Sequence, residues 1–122
     1  MKIRIKDNSI RIRLTKSEVA KLVHEGQLDA ETSFVGRSFR YAVKRTSQGS
    51  MLSGVFEDGM ITLFVPQNLI QDWDTNAVVS IESNMPVNDG QNLYLLLEKD
   101  FQCIDQSTED QSDNYTNPNQ IC

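Results

Sequence analysis

The sequence predicts an α+β domain built on a curved, mostly antiparallel sheet that is either open or curled into a half-open barrel. Two observations carry this prediction. Apolar and charged residues alternate strictly along the first strands, as is typical of half-buried strands. Short connections with hairpin signals such as Asp58-Gly59 favour antiparallel neighbours. The predicted order is β-β-α-β-β-β-α-β-β, with two short helices packed against the sheet.

The chain opens with a predicted β-hairpin. Ile3 and Ile5 alternate with basic residues, and residues 7–9 supply turn-forming side chains. Residues 10–14 then alternate in the same way. Each strand therefore has one apolar face and one basic face.

A short helix is predicted next, with a signal at each end. Thr15 and Glu18 have the spacing of a capping box, in which each side chain bonds the other residue's backbone N–H. Val19 and Leu22 begin an apolar stripe at helical spacing. Gly26 stands where a left-handed residue commonly ends a helix.

The remaining elements are predicted from alternation and turn residues. We expect strands over residues 33–46, 51–56, 60–65, 77–81 and 93–101. A short helix after Pro66 would pack three apolar side chains inward, Leu69, Ile70 and Trp73. Because residues 94–97 are apolar on both faces, the last strand is expected to be central or covered on both sides. Residues 1–104 form the predicted domain, and residues 105–122 form an acidic, polar and flexible tail.

Charge is distributed unevenly along the chain. The net charge is −5, from 12 basic and 17 acidic residues, whereas residues 1–97 alone are balanced. The whole net charge therefore belongs to the segment that begins at Glu98. Because attraction to phosphate dominates non-specific nucleic-acid binding, an acidic chain is a poor general binder of nucleic acid.

The hairpin carries the first candidate site, a basic face formed by Lys2, Arg4, Lys6, Arg11 and Arg13. Four more bases would extend this face if their strand lay alongside: Arg37, Arg40, Lys44 and Arg45. Such a face suits an anionic small ligand, an acidic protein or the chain's own acidic tail. Aromatic residues are not interleaved among the five, which disfavours nucleic acid. The competing interpretation is a solvated face whose charged side chains prevent the edge strand from pairing with a strand of another chain.

The second candidate site is a set of donors near the end of the chain: Asp100, Cys103, Asp105, Glu109, Asp110 and Asp113. Their carboxylates and thiol could hold a divalent cation, but the spacing is not that of a calcium loop. A solvated acidic tail is the simpler interpretation. His24 is the one histidine, and nothing in its spacing recommends it as a catalytic base. We expect no cofactor.

Three segments resemble a family of small bacterial proteins, a domain of unknown function. They read MKIRIKxNSIRIRLTxSEV over residues 1–19, EKDFxC over 98–103 and EDxxDxYxNP over 109–118. The resemblance implies a bacterial, cytoplasmic origin and transfers no catalytic residue. The sequence does not decide whether the segment over residues 109–118 packs on the domain or extends into solvent.

The leading hypothesis is a non-enzymatic binding or adaptor domain that uses the basic face. The first alternative is a metal-dependent protein or enzyme with a site near Asp100 and Cys103. The second is a nucleic-acid binder inhibited by the tail. No apolar run is long enough for a membrane span and the start is charged, so we expect a cytoplasmic protein without a membrane partner. The sequence leaves the oligomeric state undecided.

Overall fold

The computed structural model of the chain describes residues 1–101, which contain eight strands, one α-helix and one 3-10 turn. The strands are β1 (Lys2–Lys6), β2 (Ser9–Leu14), β3 (Gln27–Phe34), β4 (Arg37–Thr46), β5 (Ser53–Glu57), β6 (Met60–Pro66), β7 (Ser80–Pro86) and β8 (Asn92–Lys99). The α-helix is α1 (Lys16–Glu25), and the 3-10 turn (Gln67–Leu69) follows β6.

The strands form two four-stranded sheets. Sheet A has the order β1-β2-β8-β7, and sheet B has the order β3-β4-β6-β5. Each sheet combines two antiparallel hairpins through a central parallel pair, β2 with β8 and β4 with β6. The predicted α+β class with a single, mostly antiparallel sheet was wrong, because these residues build a mostly β protein with two sheets and no closed barrel. The central position predicted for the last strand is confirmed.

Residues 33–46, predicted as one strand, contain only the end of β3, a turn and all of β4, while most of β3 lies before them, where no strand was predicted. The chain reverses at Gly36, whose φ of 79° lies in the left-handed region that glycine tolerates. β3 is an edge strand on which Leu28 is the one fully buried residue. A strand with so little buried surface does not need a clear apolar alternation. The alternation pattern therefore did not predict β3.

The second predicted helix was also wrong beyond its first turn. After the 3-10 turn, the chain continues as an irregular loop in which Asp72 has a φ of 58°, incompatible with a helix. Trp73 nevertheless packs inward, with its indole N–H donating to the Val78 carbonyl at 2.8 Å. The apolar spacing identified the buried side chains correctly but not the backbone that carries them.

The connectivity gives the molecule two different ends. All four hairpins turn at one end, here called the turn end, while α1 and the loop after β6 lie at the opposite helix end. Backbone and side-chain contacts tie the helix end together: the Arg45 N–H donates to the Gly26 carbonyl, and the Lys99 ammonium donates to the Asn76 carbonyl, both at 2.8 Å.

The core lies between the inner faces of the two sheets and against α1. The central strands contribute side chains that are at most 1% exposed: Ile12, Leu14, Val43, Leu63, Val65, Leu95 and Leu97. Val19 and Leu22 of α1 and Trp73 of the loop close the helix end. Because alternate residues point inward, the remaining residues of sheet A face away from the core.

Helix α1 begins and ends as predicted. Thr15 Oγ1 accepts from the Glu18 N–H at 3.3 Å, and the Glu18 carboxylate accepts from the Thr15 N–H at 2.9 Å. Glu18 also accepts a hydrogen bond from the α-ammonium group of Met1. Gly26 ends the helix with a φ of 82°. The capping box thus anchors the start of α1 just after β2.

Replacing Thr15 by alanine is expected to lower the free energy of unfolding by about 1 kcal/mol, since the Glu18 N–H then loses its capping acceptor. Urea unfolding followed by circular dichroism measures this loss. Lys16→Ala changes the neighbouring exposed side chain without contacting the cap and should change stability by less than about 0.5 kcal/mol. Equal effects of the two substitutions would contradict the capping role.

Candidate anion-binding face

The five basic residues predicted from the hairpin do share one face, the solvent side of sheet A, here called the outer face. In the β1–β2 register, Lys2 is opposite Arg13 and Arg4 is opposite Arg11. Lys6 is opposite Ser9 at the turn end. Ile3 and Ile12 between them pack toward the core, which fixes the bases on the outside.

Glu98 of β8 engages two of these bases. Arg11 Nε and Arg13 Nε both donate to Glu98 Oε1, at 2.5 Å and 2.6 Å, and the Glu98 side chain is only 12% exposed. Burial raises the pKa of the Glu98 carboxyl, but the hydrogen bonds and charges of the two arginines outweigh burial, so this pKa lies below its ordinary value. Glu98 is therefore an ionised anchor that orients both guanidinium groups.

Asp100 is a partner of the basic face. Its carboxylate lies 3.2 Å from Lys2 Nζ, and its backbone N–H donates to the Leu14 carbonyl at 2.8 Å. Asp100 thus has a structural partner in Lys2, and it marks the point where the chain leaves β8 beside the bases.

The other half of the outer face is acidic rather than basic. Tyr94 of β8 donates its hydroxyl hydrogen bond to the carboxylate of Glu82 on β7. This hydrogen bond, together with burial, raises the pKa of the Tyr94 hydroxyl. The bases of β1 and β2 therefore lie on one side of sheet A, and Glu82 lies on the other side.

Arg4 and Lys6 differ from the other bases. Both side chains are exposed, and neither has a hydrogen bond or ion pair within residues 1–101. Arg4 lines a cavity of about 210 Å³ together with the four residues Lys2, Ile3, Arg11 and Arg13. This cavity gathers four cationic side chains around a space into which a carboxylate can enter.

The four bases proposed to extend the face do not do so. Arg37, Arg40, Lys44 and Arg45 all belong to β4, which lies in sheet B. The Arg45 guanidinium instead donates to the Val23 carbonyl at 2.5 Å, next to the C-terminal end of α1. Sheet A therefore supplies the whole basic face.

The predicted cation site falls mostly outside the part of the chain that the structure describes. Five of its six residues lie there: Cys103, Asp105, Glu109, Asp110 and Asp113. Within residues 1–101, no three histidine, cysteine, aspartate or glutamate side chains cluster as metal ligands. His24 Nε2 lies 2.9 Å from Asp74 Oδ2 on the surface. The cation site stays a prediction.

These features define a small two-sheet β protein with a charged outer face on one sheet. The chain belongs to the family described as "Family of unknown function (DUF7009)", whose model matches residues 1–119. The predicted resemblance to a domain of unknown function is thereby confirmed. No curated protein and no solved structure matches the chain. Over residues 1–101, every helix is too short or too polar to cross a membrane.

Proposed function

We propose that this protein is a non-enzymatic binding domain whose outer face takes an acidic polypeptide. The observation that supports this most directly is the pair of exposed bases, Arg4 and Lys6, beside two arginines already oriented by Glu98. An oriented guanidinium loses little conformational entropy when it binds a carboxylate, and it can do so through two parallel hydrogen bonds.

An acidic polypeptide suits this face better than a nucleic acid does. Glu98 compensates part of the arginine charge, and Glu82 would repel a phosphate backbone that crossed the whole sheet. The one aromatic ring on this face, that of Tyr94, uses its hydroxyl on Glu82. A few spaced carboxylates match the local charge better than a continuous row of phosphates.

The position of β1 suggests how such a polypeptide would lie. β1 is an edge strand of sheet A, and its outward residues are Lys2, Arg4 and Lys6. An extended segment placed along this edge would present every second side chain to the outer face. Alternating carboxylates would then stand opposite the three bases, where opposite charges stabilise strand pairing.

Fluorescence anisotropy with the full chain tests this proposal. The probe is a labelled peptide of alternating glutamate and threonine, with a lysine–threonine peptide and a short DNA duplex as comparisons. We expect the glutamate peptide to bind most tightly, with an affinity that falls as salt is raised. Tighter binding of the duplex, or no binding of the glutamate peptide at low salt, would overturn the proposal.

A charge-matched pair of variants locates the site. Arg4→Gln with Lys6→Gln should weaken binding of the glutamate peptide about tenfold, since both bases face it. Lys16→Gln with Lys21→Gln removes the same charge from exposed positions on α1 and should leave binding nearly unchanged. Equal losses would mean that only net charge matters, which contradicts a site on β1.

The acidic polypeptide could belong to another protein or to residues 102–122 of this chain, which contain four acids and no base. Neutralising these acids in the full chain, at Asp105, Glu109, Asp110 and Asp113, separates the two sources. Tighter binding of the glutamate peptide to this variant identifies the chain's own segment as the occupant. Unchanged binding identifies a separate acidic protein.

We further propose a bacterial, cytoplasmic setting, which the resemblance of the opening and closing motifs supports.

A further inference from the structure

An apolar crevice of about 370 Å³ opens at the turn end, between the inner faces of the two sheets. Its volume falls in the range of small-molecule sites, which is roughly 300–1,000 Å³. Ile10 and Leu95 line it from sheet A, and Ile61 and Phe56 line it from sheet B. The crevice lies on the side of sheet A opposite to the outer face, so it is independent of the site proposed above.

Gly54 of β5 lines this crevice with its backbone, close to Leu95 of sheet A. A Cβ built on Gly54 would lie 3.6 Å from Leu95 Cδ2, an ordinary contact distance, so a side chain there would point across the space between the sheets. The Gly54 N–H donates to Met85 Sδ of β7 at 3.4 Å, which connects the two sheets beside the crevice. Gly54 thus contributes only backbone to the crevice wall, and a side chain larger than a methyl group would intrude on the space between the sheets.

The mouth of the crevice exposes apolar side chains to water. Phe56 is 68% exposed and Ile5 is 55% exposed, although both line the crevice. Adjacent exposed apolar groups around a cavity commonly mark a binding site, because a ligand that covers them removes them from water. A peptide is a poor occupant of the interior, since its backbone groups would find few polar partners there.

The charge at the mouth is acidic. Asp7, in the β1–β2 turn, is the one charged residue within residues 1–101 that lines the crevice. Its carboxylate has no hydrogen-bond or ion-pair partner in that part of the chain. Two other hairpin turns at this end also carry an aspartate, Asp58 and Asp89. An unpartnered carboxylate beside an apolar space favours a ligand that carries a positive charge at one end of an apolar body.

We propose that the turn-end crevice binds a small amine with a hydrocarbon body. The hydrocarbon lies between the sheets beside Gly54 and contacts Phe56 and Leu95, while the ammonium group lies at the mouth and pairs with the Asp7 carboxylate. Because this pair is exposed to solvent, the charge supplies selectivity and the apolar contact supplies most of the affinity.

Titration of the isotope-labelled full chain with three ligands of equal length tests this proposal: hexylamine, hexanol and hexanoate. Amide shifts in the NMR spectrum report both the affinity and the position of binding. We expect hexylamine to bind about threefold more tightly than hexanol, and hexanoate to bind most weakly. The amides of Gly54, Phe56 and Leu93 should shift. Equal affinities for hexylamine and hexanoate, or shifts only elsewhere, would overturn the proposal.

Two variants separate the charge from the cavity. Asp7→Asn should make the affinities for hexylamine and hexanol equal while leaving the affinity for hexanol unchanged. Gly54→Leu should fill the crevice and remove binding of all three ligands, whereas Gly54→Ala, with its ordinary contacts, should keep it. If Gly54→Leu does not fold, the Asp7→Asn result decides alone: a persistent preference for the amine contradicts the proposal.

Discussion

Replacing Trp73 by alanine is expected to lower the free energy of unfolding by about 3–5 kcal/mol, the largest loss for any single substitution considered. Trp73 is fully buried at the helix end, belongs to the core cluster and donates its indole N–H to Val78. Removing it leaves a large cavity in the core cluster to which Trp73 belongs. Urea unfolding followed by circular dichroism measures the loss.

Trp73→Phe provides the control for this prediction. It keeps an aromatic ring but loses the hydrogen bond to the Val78 carbonyl, so we expect a loss well below that of the alanine variant. A loss below about 1 kcal/mol for Trp73→Ala would show that the loop after β6 is not part of the core, and would contradict the fold described here.

Replacing Glu98 by glutamine is expected to lower the free energy of unfolding by about 2 kcal/mol at neutral pH. The substitution leaves Arg11 and Arg13 partly buried, at 28% and 33% exposure, without the charge that they share. Glu57→Gln, at an exposed position on β5, is the matched control and should cost less than about 0.5 kcal/mol. Equal losses would contradict the anchoring role of Glu98.

The loss caused by Glu98→Gln should depend on pH. The pKa of Glu98 is lower in the folded protein than its ordinary value of 4.5. A carboxylate of this kind contributes its full stability above pH 4.5, and that contribution disappears as the pH falls through the lower pKa of the folded state. The difference between wild type and variant should therefore shrink below pH 4.5. A difference that is constant with pH would assign the loss to packing.

Local signals in the sequence predicted the local structure well. The β1–β2 hairpin and the two ends of α1 follow from alternation, the capping box and Gly26, all within a few residues of the feature they determine. The parallel pairing of β2 with β8 joins segments more than 80 positions apart, as the register of Ile12 with Leu97 shows. No local pattern encodes such pairing, so the two-sheet architecture could not be predicted.

The same distinction holds for the candidate site. The alternation of β1 and β2 was enough to place five bases on one face, because residues two apart in a strand share a face. Their anchor was missed, since Glu98 lies 87 positions from Arg11 and 85 from Arg13. Composition alone groups Glu98 with the acidic segment that follows it. The crevice was missed as well, since it depends on how the two sheets face each other around Gly54.

The most direct test of the central claim is an NMR titration of the isotope-labelled full chain with the glutamate–threonine peptide at low salt. The proposal predicts that the amides of β1 and of Arg11 and Arg13 in β2 shift progressively, and that the shifts diminish when salt is added. Shifts confined to α1 or sheet B, or an unchanged spectrum at saturating peptide, would contradict the account of the outer face as a binding surface.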